Sequence, residues 1–195
     1  MLEIWETLSG DKDNRILQCM KKAGWFAGRK VDISNVLCFY EKHNVELFPA
    51  AQNFFEEFYG IASGWFFGHR YGIEHGFYSA GVRCNQIGHN FPDLAFMLFP
   101  ENFDEDDDSI YDEEVQKYTN DNTIKIGEIG YYYPAEISIG TKGTIYAVHD
   151  YDGPGVVHEF NNIFQLIAHE LSPFKLDGMS IVAMEHLFAV FREQK

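Results

Sequence analysis

The chain has 195 residues, of which 46% are hydrophobic and 16% aromatic, so it can bury a substantial core, and disorder over most of its length is excluded. Its 30 Asp and Glu residues outnumber 15 Lys and Arg, which gives a formal net charge of -15 at pH 7. A surface this negative repels phosphate backbones and anionic lipid heads and attracts basic proteins. The charge therefore argues against direct binding to nucleic acid or to a membrane surface.

The first third of the chain predicts three helices. Residues 13–23 carry an apolar stripe and are followed by Gly24, a typical helix stop. Residues 31–44 predict a second amphipathic helix. Residues 48–60 predict a third, with Pro49 in its first turn and phenylalanines that repeat at helical spacing.

Beyond residue 60 the pattern changes to that of short strands. Glycine, aromatic and β-branched residues predict strands in three segments, 65–69, 76–83 and 94–99. An acidic section follows, ending in a short helix near residues 109–119. Three further strands are predicted in 123–130, 134–140 and 144–150, and the Gly-Thr-Lys-Gly-Thr sequence between the last two indicates a hairpin whose glycines permit positive φ.

The C-terminal part predicts helices. Residues 160–171 show helical periodicity, and residues 179–194 are predicted to continue as a helix after the break at Ser172–Pro173. The fold class is therefore α+β, with N-terminal helices, a central, mostly antiparallel sheet and C-terminal helices. We expect one domain over residues 1–195, with an acidic insertion at about 101–120 and a helical tail at about 174–195.

The cysteines and the N-terminus predict a cytoplasmic protein. Cys19, Cys38 and Cys84 are odd in number and far apart, which excludes a disulfide framework and a zinc ribbon among them. The N-terminal residues carry acids where a signal peptide carries Lys or Arg, and no stretch approaches the roughly 18 apolar residues that cross a bilayer.

None of the short catalytic motifs is present, and two groups of residues are the remaining candidates for a reactive site. The first is His69, His75, Cys84 and His89, a set of potential metal ligands in a glycine-rich region. Its spacing fits no standard zinc finger, so packing or surface histidines and a buried free thiol are the preferred interpretation.

The second group is His149–Asp150 together with His158–Glu159, which flank a Gly-Pro loop. Neighbours on a strand point to opposite faces, so this spacing does not predict an acid–base dyad. We accordingly predict no catalytic residue, no metal and no cofactor.

Two runs of residues, one acidic and one aromatic, indicate binding to another protein. From Asp104 to Glu114, eight of eleven residues are acids, which places this run in water. Asp104–Asp108 can be a solvated loop, a calcium loop or a contact for a basic protein. An EF-type calcium loop requires Gly where Ser109 stands, so the solvated loop and the protein contact are the preferred interpretations. Tyr131–Tyr133 cannot all face inward on an extended chain, so at least one should be exposed.

Three segments resemble a known family. Residues 17–33 contain Ala23-Gly24-Trp25 and Gly28-Arg29, residues 47–61 read LFPAAQNFFEEFYGI, and residues 128–171 combine Gly, Pro, two strands with a Gly turn and a helix. Together they are similar to the SUKH superfamily, specifically its third branch of bacterial immunity proteins. The resemblance covers about 14–67 and 122–171, and it departs from the family at Tyr59–Gly60, where two glycines are usual.

The resemblance implies a non-enzymatic protein that binds and neutralises a polymorphic toxin domain, often a nuclease. Alternatives are an intracellular scaffold or regulatory protein with the same fold, or a small metal- or His-dependent hydrolase using His69, His75 or His89. Oligomeric state is left open.

On this reading, Gly24, Trp25 and Gly28 form a structural turn that Arg29 holds through an ion pair or a carbonyl cap. The residues expected to face the toxin are acids in and after the acidic run and a tyrosine cluster: Asp104, Glu105, Asp106, Asp107, Asp108, Asp112, Glu113, Glu114, Tyr131, Tyr132 and Tyr133.

Overall fold

The structure is a computed structural model and describes residues 16–17, 20–21, 24–61, 63–67, 94–100, 103, 109–130, 134–149, 152–170 and 179–183. Within these residues the helices are α1 (Ser34–Lys42), α2 (Pro49–Phe58), α3 (Glu113–Thr119) and α4 (Ile163–Glu170). The strands are β1 (Ser63–Phe67), β2 (Leu94–Leu98), β3 (Thr123–Gly130), β4 (Ala135–Gly140), β5 (Ile145–Val148), β6 (His158–Phe160) and β7 (Met179–Ala183). The α+β fold class predicted from the sequence is confirmed.

The described strands form one antiparallel sheet in the order β6-β5-β4-β3-β2-β1-β7. Strands β2 to β6 follow the chain as a meander, as sequential strands usually do. The last strand, β7, instead returns to the far edge and pairs with β1, with Trp65 opposite Ile181.

The predicted helix over residues 179–194 is wrong for its first five residues, which form β7. Residues 184–195 lie outside the described part of the chain. The segment Met179–Ala183 contains the β-branched pair Ile181 and Val182, and pairing with β1 satisfies backbone groups along what would otherwise be an open sheet edge. A short apolar run fits a helix or a strand equally well, and the available edge decides between them.

The main core lies between one face of the sheet and helices α1, α2 and α4. Helix α2 starts with Pro49 at its first turn and buries Ala51, Phe54, Phe55 and Phe58. Helix α4 buries Ile163, Leu166 and Ile167. The ring of Phe164 contacts that of Phe58 at 5.8 Å between centroids, so α2 and α4 pack side by side.

A β-bulge in β3 keeps its isoleucines on the core face. The register against β4 shifts between Lys125 and Gly127, which inserts one extra residue into β3. As a result Ile124, Ile126 and Ile129 are all buried in the core, although strict alternation would turn Ile129 to the other face.

The hairpin between β4 and β5 forms as predicted, but its two glycines have different roles. Gly143 has φ +85°, in the left-handed region that glycine favours. Gly140 is absent from the positive-φ residues. A Cβ on Gly140 would lie 3.0 Å from Asp121 Oδ2 and 3.2 Å from the Tyr146 ring, so a larger residue here would have to displace these side chains slightly.

Helix α3 lies on the opposite face of the sheet from the core helices. Its Tyr118 ring contacts Tyr146 at 6.5 Å, and Tyr146 alternates along β5 with the core residues Ile145 and Ala147. Under α3 the buried Lys125 Nζ lies 2.6 Å from Glu136 Oε1. Among the described residues, no helix has both the length and the hydropathy of a membrane span.

Candidate partner-binding face

The residues at both ends of α3 stabilise the helix. Asp112 precedes it in an extended conformation, and its Oδ1 accepts hydrogen bonds from the amides of Glu114 at 2.9 Å and Val115 at 3.1 Å. Glu113 and Glu114 occupy the first turn and Lys117 the last, which matches the helix dipole. Asn120 ends the helix in a left-handed conformation with φ +48°.

Asp112 therefore caps α3, and its predicted role as a partner contact stays a prediction. Only 7% of the residue is exposed, because the cap turns its carboxylate toward the helix. Glu114 is also engaged within the chain, since its Oε2 accepts a hydrogen bond of 2.9 Å from the amide of Gly155. Of the three acids predicted at this helix to face a partner, Glu113 is the most accessible, with 85% of its side chain exposed.

Two tyrosines that the sequence analysis did not single out are exposed at α3, Tyr111 just before the helix and Tyr118 within it. Tyr111 is 44% and Tyr118 55% exposed, while Val115 anchors the helix below them. Tyrosine is enriched in protein interfaces because its ring offers apolar area and its hydroxyl a polar end. We call Tyr111, Glu113, Lys117 and Tyr118 the α3 surface; Lys117 Nζ lies 3.6 Å from Glu113 Oε2.

Negative charge continues beyond the helix. Burial raises the pKa of Tyr146, and the nearby carboxylates of Glu159 and Asp121 raise it further, outweighing a hydrogen bond with Thr144 that lowers it. Asp121 also holds the hairpin, where its Oδ1 accepts a hydrogen bond of 2.8 Å from the hydroxyl of Thr141. The described surroundings of α3 are thus acidic, although Lys117 partly offsets Glu113.

The predicted N-terminal turn lies away from this surface, between the first helical residues and α2. The amides of Gly24 and Trp25 donate to the carbonyls of Lys21 at 3.2 Å and Met20 at 2.9 Å, the hydrogen bonds of a Schellman motif. Gly24 has φ +102° and Gly28 φ +80°, so both turns need glycine.

Trp25 and Arg29 fasten this turn to the end of α2. The indole Nε1 of Trp25 donates to Glu57 Oε1 at 2.9 Å, and the ring meets Phe164 edge to face at 5.0 Å. Arg29 donates to the carbonyls of Glu57 at 2.7 Å and Tyr59 at 2.8 Å. Its guanidinium thereby caps carbonyl groups at the C-terminus of α2.

The structure brings together His149 and His158, the histidines of the two pairs that flank the Gly-Pro loop. His149 follows β5, and His158 begins β6, whose pairing places Ala147 opposite His158. Their ring centroids are 5.5 Å apart. Both contact Asp152, a residue that the sequence analysis did not consider, with 2.7 Å between His158 Nε2 and Asp152 Oδ2. Glu159 is exposed on β6, and Asp150 lies outside the described residues.

Burial and charge oppose each other in the pair formed by His149 and Glu170. Burial by itself lowers the pKa of His149, but the hydrogen bond and negative charge of Glu170, with the charge of Asp152, outweigh it and raise the net pKa. Burial by itself raises the pKa of Glu170, whereas hydrogen bonds and charge from His149 and His169 bring the net pKa below its ordinary value.

Several predicted features lie outside the described residues. They are the strand at 76–83, the candidate metal or nucleophile group His69, His75, Cys84 and His89, the acidic residues Asp104–Asp108 and the tyrosines Tyr131–Tyr133.

Comparison with known proteins decides the family. The sequence profile described as SUKH-3 immunity protein matches residues 12–165. The chain belongs to the SUKH-3 immunity protein family. The match spans the acidic section at 101–120, which the resemblance in the sequence had not covered, and it ends within α4. Membership supports an immunity role for this SUKH-3 protein. Among curated proteins and solved structures, none matches the chain.

Proposed function

We propose that this SUKH-3 protein neutralises a cognate toxin domain by binding it directly, in the bacterial cytoplasm and without catalysing a reaction. The family supports the immunity role. The observation that supports the location of the contact is the exposure of Tyr111, Glu113 and Tyr118 at α3, on a chain of net charge -15. Exposed aromatic rings supply contact area, and acids beside them favour a basic partner.

A nuclease domain is the toxin class that this charge fits best. Nucleases carry Lys and Arg to hold phosphate groups, so a strongly negative inhibitor is attracted over a long range to the same basic groove. Electrostatic complementarity of this kind raises the association rate and favours the correct orientation. We propose that the protein occupies the basic groove in place of the nucleic acid.

The acidic run contributes to the same contact in this proposal. Asp104–Asp108 directly precedes Ser109, two residues before Tyr111 at the α3 surface. Glu105 belongs to this run, and Tyr131–Tyr133 remain proposed contacts on the basis of the sequence alone. Asp112 and Glu114 also remain proposed contacts, and within the chain they hold α3 and the 153–155 turn in place.

Co-expression with the C-terminal domain of the toxin encoded beside this gene tests the proposal. We expect the wild-type protein to restore survival and to co-purify with the toxin domain. The double variant Glu113→Lys with Tyr118→Ala should lose protection, because it reverses a charge and removes an exposed ring at the α3 surface.

Glu41→Lys is the matched control, since Glu41 is exposed on α1, on the other side of the sheet, and the change in charge is the same. This variant should protect as well as wild type. Equal protection by all three proteins would remove the α3 surface from the mechanism, and absence of any complex with the wild-type protein would contradict toxin binding itself.

A further inference from the structure

Three imidazoles and two carboxylates meet where β5, β6 and the C-terminal end of α4 come together. His149 Nδ1 lies 3.5 Å and His158 Nε2 2.7 Å from the same oxygen, Asp152 Oδ2. One possible ligand atom from each of these residues lies within 4.8 Å of the others. His169 and Glu170 complete the cluster on the side of α4.

We propose that His149, Asp152 and His158 bind a single Zn²⁺ ion. The ligands are His149 Nδ1, the carboxylate of Asp152 and His158 Nε2, and water fills the fourth position. Two imidazole nitrogens and a carboxylate form a donor set suited to zinc, whereas Mg²⁺ and Ca²⁺ prefer sites made of oxygen atoms.

The distance between His149 and Asp152 is close to that of a tetrahedral site, whereas the distance between His158 and Asp152 is shorter. Bonds of about 2.0–2.1 Å to zinc separate tetrahedral ligand atoms by about 3.3 Å. The 3.5 Å between His149 Nδ1 and Asp152 meets this value. The 2.7 Å between His158 Nε2 and Asp152 must widen by about 0.6 Å, which is possible because both side chains are partly exposed, 30% and 27% respectively.

Glu170 supplies the outer support that zinc-binding histidines usually have. Its Oε1 lies 3.0 Å from His149 Nε2, at the ring nitrogen that points away from the proposed metal. A carboxylate that accepts the Nε2 proton leaves Nδ1 with its lone pair directed toward Asp152 and fixes the ring. His169 Nδ1 contacts the same Glu170 oxygen at 3.2 Å, so the carboxylate is itself held in position.

A bound ion would join segments that the backbone connects only through a loop. His149 is buried at the end of β5, Asp152 lies in the connection and His158 starts β6. Zinc would therefore fasten the edge of the sheet, and Glu170 would link it to α4. The proposed ligands are not themselves part of the α3 surface.

Calorimetric titration of the metal-free, full-length protein with ZnCl₂ tests the proposal. We expect one high-affinity ion per chain and no comparable binding of MgCl₂. Glu170→Gln should weaken binding by roughly 10–100-fold, the usual effect of losing an outer-shell partner. His158→Ala and Asp152→Asn should weaken it more, because each removes a ligand. Both positions are partly exposed, so these substitutions disturb the fold less than His149→Ala, which would change a buried residue.

Glu159→Gln is the control, as it removes an exposed carboxylate next to His158 without touching the cluster. It should bind zinc as wild type does. The proposal is overturned if His158→Ala and Asp152→Asn bind zinc as tightly as the wild type. It is also overturned if the wild type does not bind zinc.

Cobalt substitution distinguishes this site from a cysteine-containing one elsewhere in the chain. Co²⁺ at His149, Asp152 and His158 should give visible d–d absorption without the near-ultraviolet charge-transfer band of a cobalt–thiolate bond, and His158→Ala should abolish the spectrum. A thiolate band, or a spectrum unaffected by His158→Ala, would place the metal at other residues and contradict the assignment.

Discussion

Trp25 holds the N-terminal turn by two separable interactions, edge-to-face packing on Phe164 and a hydrogen bond to Glu57. Trp25→Ala removes both and leaves a cavity, so we expect a loss of about 3–5 kcal/mol in the free energy of unfolding. Trp25→Phe keeps an aromatic ring but no donor. Urea denaturation followed by circular dichroism measures both variants.

The comparison between the two substitutions identifies the dominant interaction. Trp25→Phe should recover much of the stability, because the lost hydrogen bond to Glu57 contributes only about 0.5–1.5 kcal/mol. A Trp25→Ala protein as stable as wild type would contradict the packing role, since only 8% of the residue is exposed.

Tyr40 makes stability depend on pH in the alkaline range. Its hydroxyl donates to the carbonyl of Lys125 at 2.7 Å in the buried core. Burial raises the pKa of Tyr40 well above its ordinary value of 10.0. The unfolded chain therefore loses this proton at a lower pH than the folded protein. The contribution is present in full below the unfolded pKa and is lost as the pH rises toward the folded pKa.

Urea midpoints measured at intervals from pH 8 to pH 11 test this dependence. We expect the wild type to lose stability above about pH 10, by up to about 1.4 kcal/mol per pH unit from this residue. Tyr40→Phe should be less stable at pH 8, because the hydrogen bond is lost, yet show a shallower decline. Parallel curves for the two proteins would mean that the Tyr40 hydroxyl does not set the alkaline response.

At the level of secondary structure, α3 depends on its cap because it has only seven residues. Asp112→Ala removes an acceptor for two backbone amides, and we expect it to destabilise the protein by about 1 kcal/mol. Asp112→Asn should retain most of the stability, since Asn is an equally good capping residue. Thermal unfolding compares the two variants at equal concentration.

A capping role and a direct toxin contact of Asp112 predict different affinities of the Asp112→Asn variant for the toxin domain. If Asp112 acts only through α3, Asp112→Asn should bind the toxin domain like wild type. A large loss of affinity in Asp112→Asn at unchanged melting temperature would show that this carboxylate also contacts the toxin.

The elements that could be predicted are those whose pattern is decided locally. Helix α2 follows from Pro49 and the spacing of its phenylalanines, and β3 to β5 follow from alternating residues and a glycine hairpin. The strand β7 could not be predicted, because its conformation depends on the distant edge of β1. His149 and His158 could be singled out from the sequence, but their meeting with Asp152 could not be predicted, because the pairing of β5 with β6 creates it.

The site at α3 shows the same division between local and long-range information. The acidic character of residues 104–114 is evident from composition, but composition does not show which carboxylates point outward. Asp112 turns inward to cap the helix, whereas Tyr111 and Tyr118 become exposed because Val115 supplies the buried anchor.

At the scale of the whole molecule, we expect net charge to set the rate of association with a basic toxin. Changing Asp104, Asp106, Asp107 and Asp108 to Asn brings the formal charge from -15 to -11, because four negative charges are removed. We expect slower association with the toxin domain, a weaker dependence of the rate on salt and a nearly unchanged melting temperature. Stopped-flow mixing over a series of salt concentrations measures the rates.

A charge-matched pair separates the position of the acids from their number. Two double variants each remove two negative charges and bring the formal charge from -15 to -13. The first is Asp106→Asn with Asp107→Asn, and the second is Glu41→Gln with Glu46→Gln. Steering falls off with distance over roughly 8–10 Å at physiological salt, so charges near the docking site influence the rate most. The first pair should therefore slow association more than the second at the same ionic strength. Equal rates for both pairs would show that the toxin responds to overall charge and would remove the acidic run from the contact.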